Sequence, residues 1–178
     1  MQAREPVLIE AFREDAISCF DKYLPHIIRC LQLLTEEEIW WRPNEASNSA
    51  GNLVLHLCGN VRQWIIAGLG RAPDTRERDK EFAERGPIPR RLLTAQLKKT
   101  VEEACQTINR IPAETFSREF GIQGYRVSGL IAIAHVYEHF AYHTGQIIYL
   151  TKLKRAKDLR FTRLPPLKST ARAVSRRP

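Results

Sequence analysis

Apolar residues recur every three or four positions along four long stretches of the chain, a spacing typical of amphipathic helices with one buried face. In the first stretch, Phe12, Phe20 and Ile27 fall on one such face. Pro112 ends the third, because proline disfavours helical backbone at the preceding residue. The predicted helices span roughly residues 6–34, 50–68, 93–111 and 128–154.

The segments between these helices contain turn and capping signals. Thr35 and Glu38 have the spacing of a capping box that opens a short helical turn, which Pro43 closes. Ser47 to Ser49 offer an N-cap for the second long helix. Residues 68–91 are rich in glycine, proline and charge, so we expect a long connection with one helical turn around residues 79–85. Connections of this length inside a domain are often functional.

Gly121 and Gly124 interrupt the chain before the fourth helix and are compatible with a small hairpin. Four long amphipathic segments without other convincing strands predict an all-α fold, a four-helix bundle. A chain of 178 residues is long enough for one such domain and short for two. We therefore predict a single bundle domain over residues 1–158, followed by a basic, proline-containing tail over residues 159–178.

The net charge of +8 is concentrated in the C-terminal part of the chain. Residues 151–178 contain ten Lys or Arg and one acid, so the remainder is close to neutral. This distribution argues against a basic recognition face on the bundle, and we expect nucleic-acid contact only through the tail. Residues 1–15 lack the apolar core of a signal peptide, and no apolar run is long enough to span a membrane, so we expect a cytoplasmic protein without membrane contact.

The four cysteines are far apart and form no C-x-x-C pair, which disfavours a zinc knuckle or a thiol redox motif. We interpret them as thiols of the core. They are Cys19, Cys30, Cys58 and Cys105.

Three histidines lie four residues apart in "AHVYEHFAYHTGQ", an otherwise apolar segment of the fourth helix. Residues with this spacing lie one above another, so His139 and His143 can bind one metal ion from the same face. His135 lies one turn further away, and one ion cannot reach both ends of this series. His56, within the apolar stripe of the second helix, is the expected third ligand. Three neutral nitrogens would leave coordination positions open to water or substrate.

A simpler interpretation is that these histidines are core residues hydrogen-bonded to carbonyls. Several imidazoles without partners in one core would be costly, and a shared ion removes this cost. His135 could support a ligand or only pack, and His26 has no partner pattern. Asn60, Gln63 and Gln146 lie at positions from which they could orient a ligand or contact substrate.

The chain resembles the DinB-like superfamily in four segments. Two contain the histidines, "NLVLHLCGNVRQWI" and "EHFAYHTGQIIYLTKL". The other two are "WWRPNEASNSAGNLVLHL", which leads into the first of these, and "RERDKEF", which lies between them. This resemblance covers most of the chain. It implies a four-helix bundle with a three-histidine metal site, which maps onto His56, His139 and His143, and it implies a homodimer. The basic tail after Pro166 has no counterpart in the resemblance.

The resemblance does not fix a reaction, since its members include thiol S-transferases and isomerases. We expect a metal-dependent enzyme in which a divalent ion, Zn²⁺ or Ni²⁺, activates a thiol or water, with a low-molecular-weight thiol as the first candidate for the small-molecule substrate. Transfer of a thiol is favoured over hydrolysis, because no carboxylate occupies an obvious catalytic position and a thiolate needs less assistance from a base. The alternative is a non-catalytic metal-binding bundle whose basic tail contacts nucleic acid or another polyanion.

Overall fold

The computed structural model describes residues 5–161, with side chains from Val7 onward. This part of the chain is mostly helical, which confirms the predicted all-α class. The α-helices are α1 (Glu5–Leu33), α2 (Glu36–Ile39), α3 (Ala50–Val61), α4 (Arg78–Ala83), α5 (Arg90–Arg110), α6 (Glu114–Ser117) and α7 (Gly129–Arg155). A π-helix, Arg62–Leu69, continues α3, and two short strands, β1 (Glu119–Ile122) and β2 (Tyr125–Ser128), precede α7.

The four long helices pack in a closed ring. Helix α1 contacts α5 and α7, and α3 contacts the same two helices from the other side. These are the neighbours expected in a four-helix bundle. In the interior, the rings of Phe20 on α1 and Phe140 on α7 meet edge to face with centroids 5.1 Å apart, a favourable geometry for an aromatic pair.

The predicted N-caps are present. Thr35 and Glu38 form a complete capping box at the start of α2, and Ser49 forms a second one with Asn52 at the start of α3. Ser128 accepts a hydrogen bond from the Ile131 amide and caps α7. Each cap satisfies amide groups that would otherwise lack a partner in the first turn of the helix. These local signals therefore set the starts of both helices that contribute histidines to the candidate site.

The second long helix differs from the prediction. Residues 50–68 were expected to form one α-helix, but from Arg62 onward the hydrogen bonds span five residues instead of four. The Gly70 amide, for example, donates to the Ile65 carbonyl at 2.9 Å. The apolar period does not reveal such a change, because both helix types keep Trp64 and Ile65 in the interior. Short π-helical segments often occur near functional sites.

The glycine-rich segment before α7 forms the small hairpin that its sequence allowed. Strands β1 and β2 pair antiparallel, with Ile122 opposite Tyr125. The two residues between them, Gln123 and Gly124, have φ angles of 53° and 82°. Positive φ at both positions is the requirement of a type I′ turn, whose twist suits a two-residue hairpin.

Two further expectations concern the periphery of the bundle. Within residues 5–161, no helix combines the length and apolar character needed to cross a membrane. The basic tail predicted over residues 159–178 lies almost entirely outside the described residues, which end at Phe161.

Candidate metal centre

Helices α3 and α7 bring the three predicted ligands together. The Nε2 atom of His139 lies 2.9 Å from Nε2 of His56 and 3.1 Å from Nε2 of His143. His56 and His143 are buried, and His139 is partly exposed. The ligand atoms of these three residues lie within 4.8 Å of one another, so they form a group that could hold a metal ion.

The outer nitrogen of His56 is held by a buried ion pair. Its Nδ1 atom lies 2.8 Å from Oε2 of Glu81 on α4. Arg76 donates to both carboxylate oxygens of Glu81, at 2.7 and 2.9 Å, and to Oε1 of Gln63 at 2.9 Å. The side chains of Arg76 and Glu81 are only 2% and 10% exposed. A charged pair buried this deeply is rarely found unless its hydrogen bonds are satisfied, and here they are.

Gly59 allows Glu81 to approach His56. A Cβ atom built on Gly59 would lie 1.9 Å from Oε1 of Glu81, which no side chain at this position could accommodate without displacing the carboxylate. The glycine is three residues after His56, in the next turn of α3, so it removes side-chain volume where the carboxylate enters.

Gln146 holds the outer nitrogen of His143. Its Oε1 atom lies 2.7 Å from Nδ1 of His143, one turn along α7. A carbonyl or carboxylate oxygen only accepts hydrogen bonds, so Nδ1 carries the proton in both His143 and His56. The Nε2 atoms of these two rings are then unprotonated, and their lone pairs point towards Nε2 of His139.

This arrangement of lone pairs fits a cation. If Nε2 of His139 carries a proton, it can donate to one of its two neighbours but not to both. A divalent ion would satisfy all three nitrogens. Two nitrogens, each about 2.0–2.1 Å from one ion, lie about 2.9 Å apart at a right angle and about 3.4 Å apart at the tetrahedral angle. The observed separations of 2.9 and 3.1 Å fall in this range.

Burial favours the neutral form of His139 and His143. It lowers the pKa of His139 to about 3, with smaller contributions from the other three histidines of the cluster and from Arg76. Burial also lowers the pKa of His143, partly offset by its hydrogen bond to Gln146. Burial alone would raise the pKa of Glu81, but the hydrogen bonds from Arg76 and His56 outweigh it and hold the pKa of this carboxyl below its usual range. Neutral imidazole is the form that binds metal.

His135 is not a member of the ligand group. Its ring stacks on His139 with centroids 5.4 Å apart and lies 4.2 Å from the ring of Trp64 on the π-helix. Its Nε2 atom is 3.4 Å from Nδ2 of Asn60, a long contact. The sequence left open whether His135 supports a ligand or only packs. Its contacts are those of a residue that packs against His139 and Trp64.

The remaining candidates divide clearly. Gln146 supports a predicted ligand, and Gln63 contacts the supporting Arg76. His26 lies away from the three-histidine group, with its ring centroid 4.3 Å from that of Phe161.

Cys58 is buried but outside the ligand group, and burial raises the pKa of its thiol to about 12. Of the predicted core thiols, Cys30 and Cys58 are buried, whereas Cys19 and Cys105 are only half-buried.

Sequence reasoning missed Glu81 and Arg76. Glu81 contacts the outer nitrogen of His56 and pairs with Arg76, a supporting position that the sequence did not indicate. The long charged connection was recognised as unusual, and its helical turn was placed close to the observed α4. Nothing in its spacing, however, showed which of its acids turns inward. The contact joins residues 25 positions apart, and local patterns do not encode such a pairing.

The family DUF1572, described as a protein of unknown function, matches residues 9–168. A comparison with curated proteins found no match.

Three solved structures share the fold. A DinB-like protein from Bacillus cereus is 14% identical, with a TM-score of 0.62, covering 80% of this chain and 92% of its own. A conserved protein from Enterococcus faecalis is 17% identical, with a TM-score of 0.68 and coverage of 81% and 97%. A DinB-like protein from Bacillus subtilis is 18% identical, with a TM-score of 0.61 and coverage of 85% and 95%. The chain therefore belongs to the DUF1572 family and shares the fold of DinB-like proteins.

Proposed function

We propose that His56, His139 and His143 bind one divalent metal ion, Zn²⁺ or Ni²⁺, and that the chain is a metal-dependent enzyme. The observation that carries this proposal is the convergence of three Nε2 atoms, two of them unprotonated because their Nδ1 atoms donate to Glu81 and Gln146. Three nitrogen ligands from the protein leave positions for an exogenous ligand, as in catalytic zinc sites.

A metal ion bound there would act as a Lewis acid that lowers the pKa of a coordinated thiol or water. The protein's own residues have two tasks. Glu81 and Gln146 fix the orientation and tautomer of two rings, and burial favours the neutral form of His139 and His143. Such supporting contacts are as much a part of a metal site as its ligands.

The state of Glu81 favours thiol transfer over hydrolysis. Its carboxylate is already shared between His56 and Arg76, so it is not free to take a proton from an attacking water. A thiolate needs less assistance from a base than water does. We therefore propose transfer of a low-molecular-weight thiol to an electrophilic small molecule as the first reaction, and hydrolysis as the second. We also propose a homodimer, which sedimentation equilibrium of the full chain would test.

Metal analysis of purified variants tests the proposal. After reconstitution with Zn²⁺ or Ni²⁺ and dialysis, we expect about one ion per wild-type chain and less than about a tenth of an ion in His56→Ala and His139→Ala. His26→Ala is the matched control, because it also removes an imidazole but one that lies outside the three-histidine group. This variant should retain the ion. Wild-type protein that binds no metal would refute the proposal, and retention in either ligand variant would reassign the ligands.

A further inference from the structure

A cavity of 730 Å³ lies beside α7, between that helix, Leu53 of α3 and the loop residues 43–48 that precede α3. Its base is apolar, because Leu53 and Leu150 are 2% and 8% exposed and present their side chains to it. Its rim carries amide and hydroxyl groups, including Asn44, Ser47 and Asn48. We call this cavity the α7 groove.

The side chains that line the α7 groove within the described residues include no Asp, Glu, Lys, Arg or His. Charged residues make up 27% of the chain, so a surface cavity of this size without a charged side chain favours uncharged ligands over ions. Binding sites with an apolar base and a few polar groups at the rim hold uncharged molecules by contact area and orient them by hydrogen bonds. An ionic ligand would lose its hydration there without gaining a partner of opposite charge.

Gly145 provides an independent indication that the groove is kept open for a ligand. This residue lies in the middle of α7, where glycine is less favourable than alanine because it loses more backbone freedom on folding. Its φ angle is not positive, and a Cβ built on it would meet nothing within 4 Å. Neither backbone conformation nor close packing among the described residues therefore requires a glycine here. The space that the missing side chain leaves opens into the groove.

Two tyrosines flank this space on the same face of α7. Tyr142 and Tyr149 are three residues before and four residues after Gly145, and each is 63% exposed. Residues at these spacings neighbour one another on a helix surface, so the two rings border the gap above Gly145. Exposed aromatic side chains on both sides of a gap offer apolar surface to a flat or aliphatic group.

The groove begins next to the candidate metal centre. Gln146, which lines the groove, accepts the hydrogen bond from His143. The ring of Tyr142, also a lining residue, lies 5.0 Å from the ring of His143. On α3, Leu53 is one turn before His56. The groove therefore borders the outer side of His143, where Gln146 holds Nδ1.

We propose that the α7 groove binds the non-reacting part of the electrophilic substrate, and that this part is an uncharged organic group with apolar character and hydrogen-bonding atoms. Gly145 and the two tyrosines form its binding surface, and Gln146 lies at the end of the groove nearest to His143. The link to catalysis rests on the proposed function. The binding of an uncharged apolar group does not, so the two claims fail separately.

Fluorescent probe binding to the full chain tests this proposal. The uncharged probe phenylnaphthylamine should bind wild-type protein saturably, with one site per chain. Gly145→Phe starts from a position where a Cβ meets no atom within 4 Å, and its ring should occupy the gap and weaken this binding about tenfold or more. Gly121→Phe is the matched control, because Gly121 also faces open space but lies on the hairpin, and it should leave the affinity unchanged.

A charged analogue and two further measurements complete the test. Anilinonaphthalene sulfonate has the same rings plus a sulfonate, and its binding should not respond to Gly145→Phe. Wild type and Gly145→Phe should bind equal amounts of metal. If neither protein binds metal, the proposed function is refuted, but the proposal that the groove binds an uncharged group is not affected. Unchanged phenylnaphthylamine affinity in Gly145→Phe would overturn the inference. A shift of the variant from dimer to monomer in sedimentation would also overturn it, because a second copy would then occupy the groove.

Discussion

The Nδ1 atom of His56 has two close neighbours, Oε2 of Glu81 at 2.8 Å and Nη2 of Arg76 at 3.1 Å. Arginine only donates, and Nδ1 can accept from it only if the ring proton moves to Nε2. That tautomer would turn a proton towards His139 and block the metal position. The shorter contact to an ionised carboxylate stabilises the opposite tautomer, so Glu81 decides whether His56 can act as a ligand.

Replacing Glu81 should weaken metal binding without removing any ligand. We expect Glu81→Ala to lower the affinity by about 10–100-fold, the usual effect of losing a partner behind a metal-binding histidine. Glu81→Gln, which keeps an acceptor oxygen, should recover part of the loss. Competitive titration against a chromogenic chelator measures both.

The control for this titration is Glu77→Ala. Glu77 precedes α4 and forms only an exposed ion pair with Lys80, so its removal should leave the affinity unchanged. Equal losses in Glu77→Ala and Glu81→Ala would show that any damage near α4 weakens the site, and the tautomer argument would be abandoned.

The lowered pKa of His139 makes the metal-free protein sensitive to acid. This pKa falls from 6.5 to about 3 on folding, so between these values the unfolded chain binds more protons than the native one. The contribution is complete above about pH 6.5 and is lost as the pH falls towards 3, at about 1.4 kcal/mol per pKa unit. Urea unfolding of chelator-treated protein at decreasing pH should show this loss, and His139→Gln should flatten it. An equal slope in the variant would contradict the assignment.

The sequence predicted the three-histidine group and one of its supporting residues, Gln146, but not Glu81 and Arg76. His139 and His143 could be paired because one helix sets their geometry, and His56 could be added because it interrupts an apolar face. Gln146 lies within one turn of His143, so it was among the residues considered. Glu81 and Arg76 reach the site from the long connection that contains α4, and their contact with His56 depends on how this connection folds back on α3.

At the scale of elements, α4 is held in place by side chains of other segments. Asn52 on α3 donates from Nδ2 to the carbonyls of Glu81 and Glu84, both at 2.9 Å. Arg42 donates to the carbonyl of Phe82 at 2.8 Å. A six-residue helix has little stability of its own, so these contacts fix the position of Glu81.

Replacing Asn52 should therefore act at a distance on the metal site. Asn52→Ala removes the N3 partner of the Ser49 capping box and both bonds to α4, and we expect it to reduce stability by about 1–3 kcal/mol and to weaken metal binding. Asn109→Ala, at an exposed position of α5, is the control and should change neither. Urea unfolding and the chelator titration provide the two readouts. Normal metal affinity in Asn52→Ala would show that α4 holds its place without this anchor.

An element can be predicted from the sequence when the contacts that determine it join residues close together in the chain. The starts of α2, α3 and α7 depend on caps within four residues. The sequence predicts the caps of α2 and α3, whereas for α7 it predicts only a start near Ser128 and not the cap that this residue forms. The change from α3 to the π-helix at Arg62 leaves the apolar pattern intact, so it could not be recognised. It places Trp64 against His135 and Gln63 against Arg76, which are contacts between distant segments.

At the scale of the whole molecule, the candidate site joins two of the four bundle helices. An ion bound by α3 and α7 would stabilise the native state by its binding free energy, about 2.7 kcal/mol at a free concentration 100 times the dissociation constant. Thermal unfolding at increasing Zn²⁺ should show a rising Tm that excess chelator reverses. His56→Ala should lose most of this rise, and a full rise in that variant would place the stabilising ion elsewhere.

The unequal division of the histidines between α3 and α7 has a consequence for folding. His139 and His143 face the same side of one helix, so any conformation that keeps this part of α7 helical retains a two-nitrogen chelate. Only the arrival of α3 adds the third nitrogen. An ion bound by His139 and His143 alone could bind native and partly folded chains equally well. The affinity contributed by these two nitrogens would therefore not stabilise the native state over the partly folded ones. The preference of the ion for the folded protein therefore depends on the single histidine that comes from the other helix.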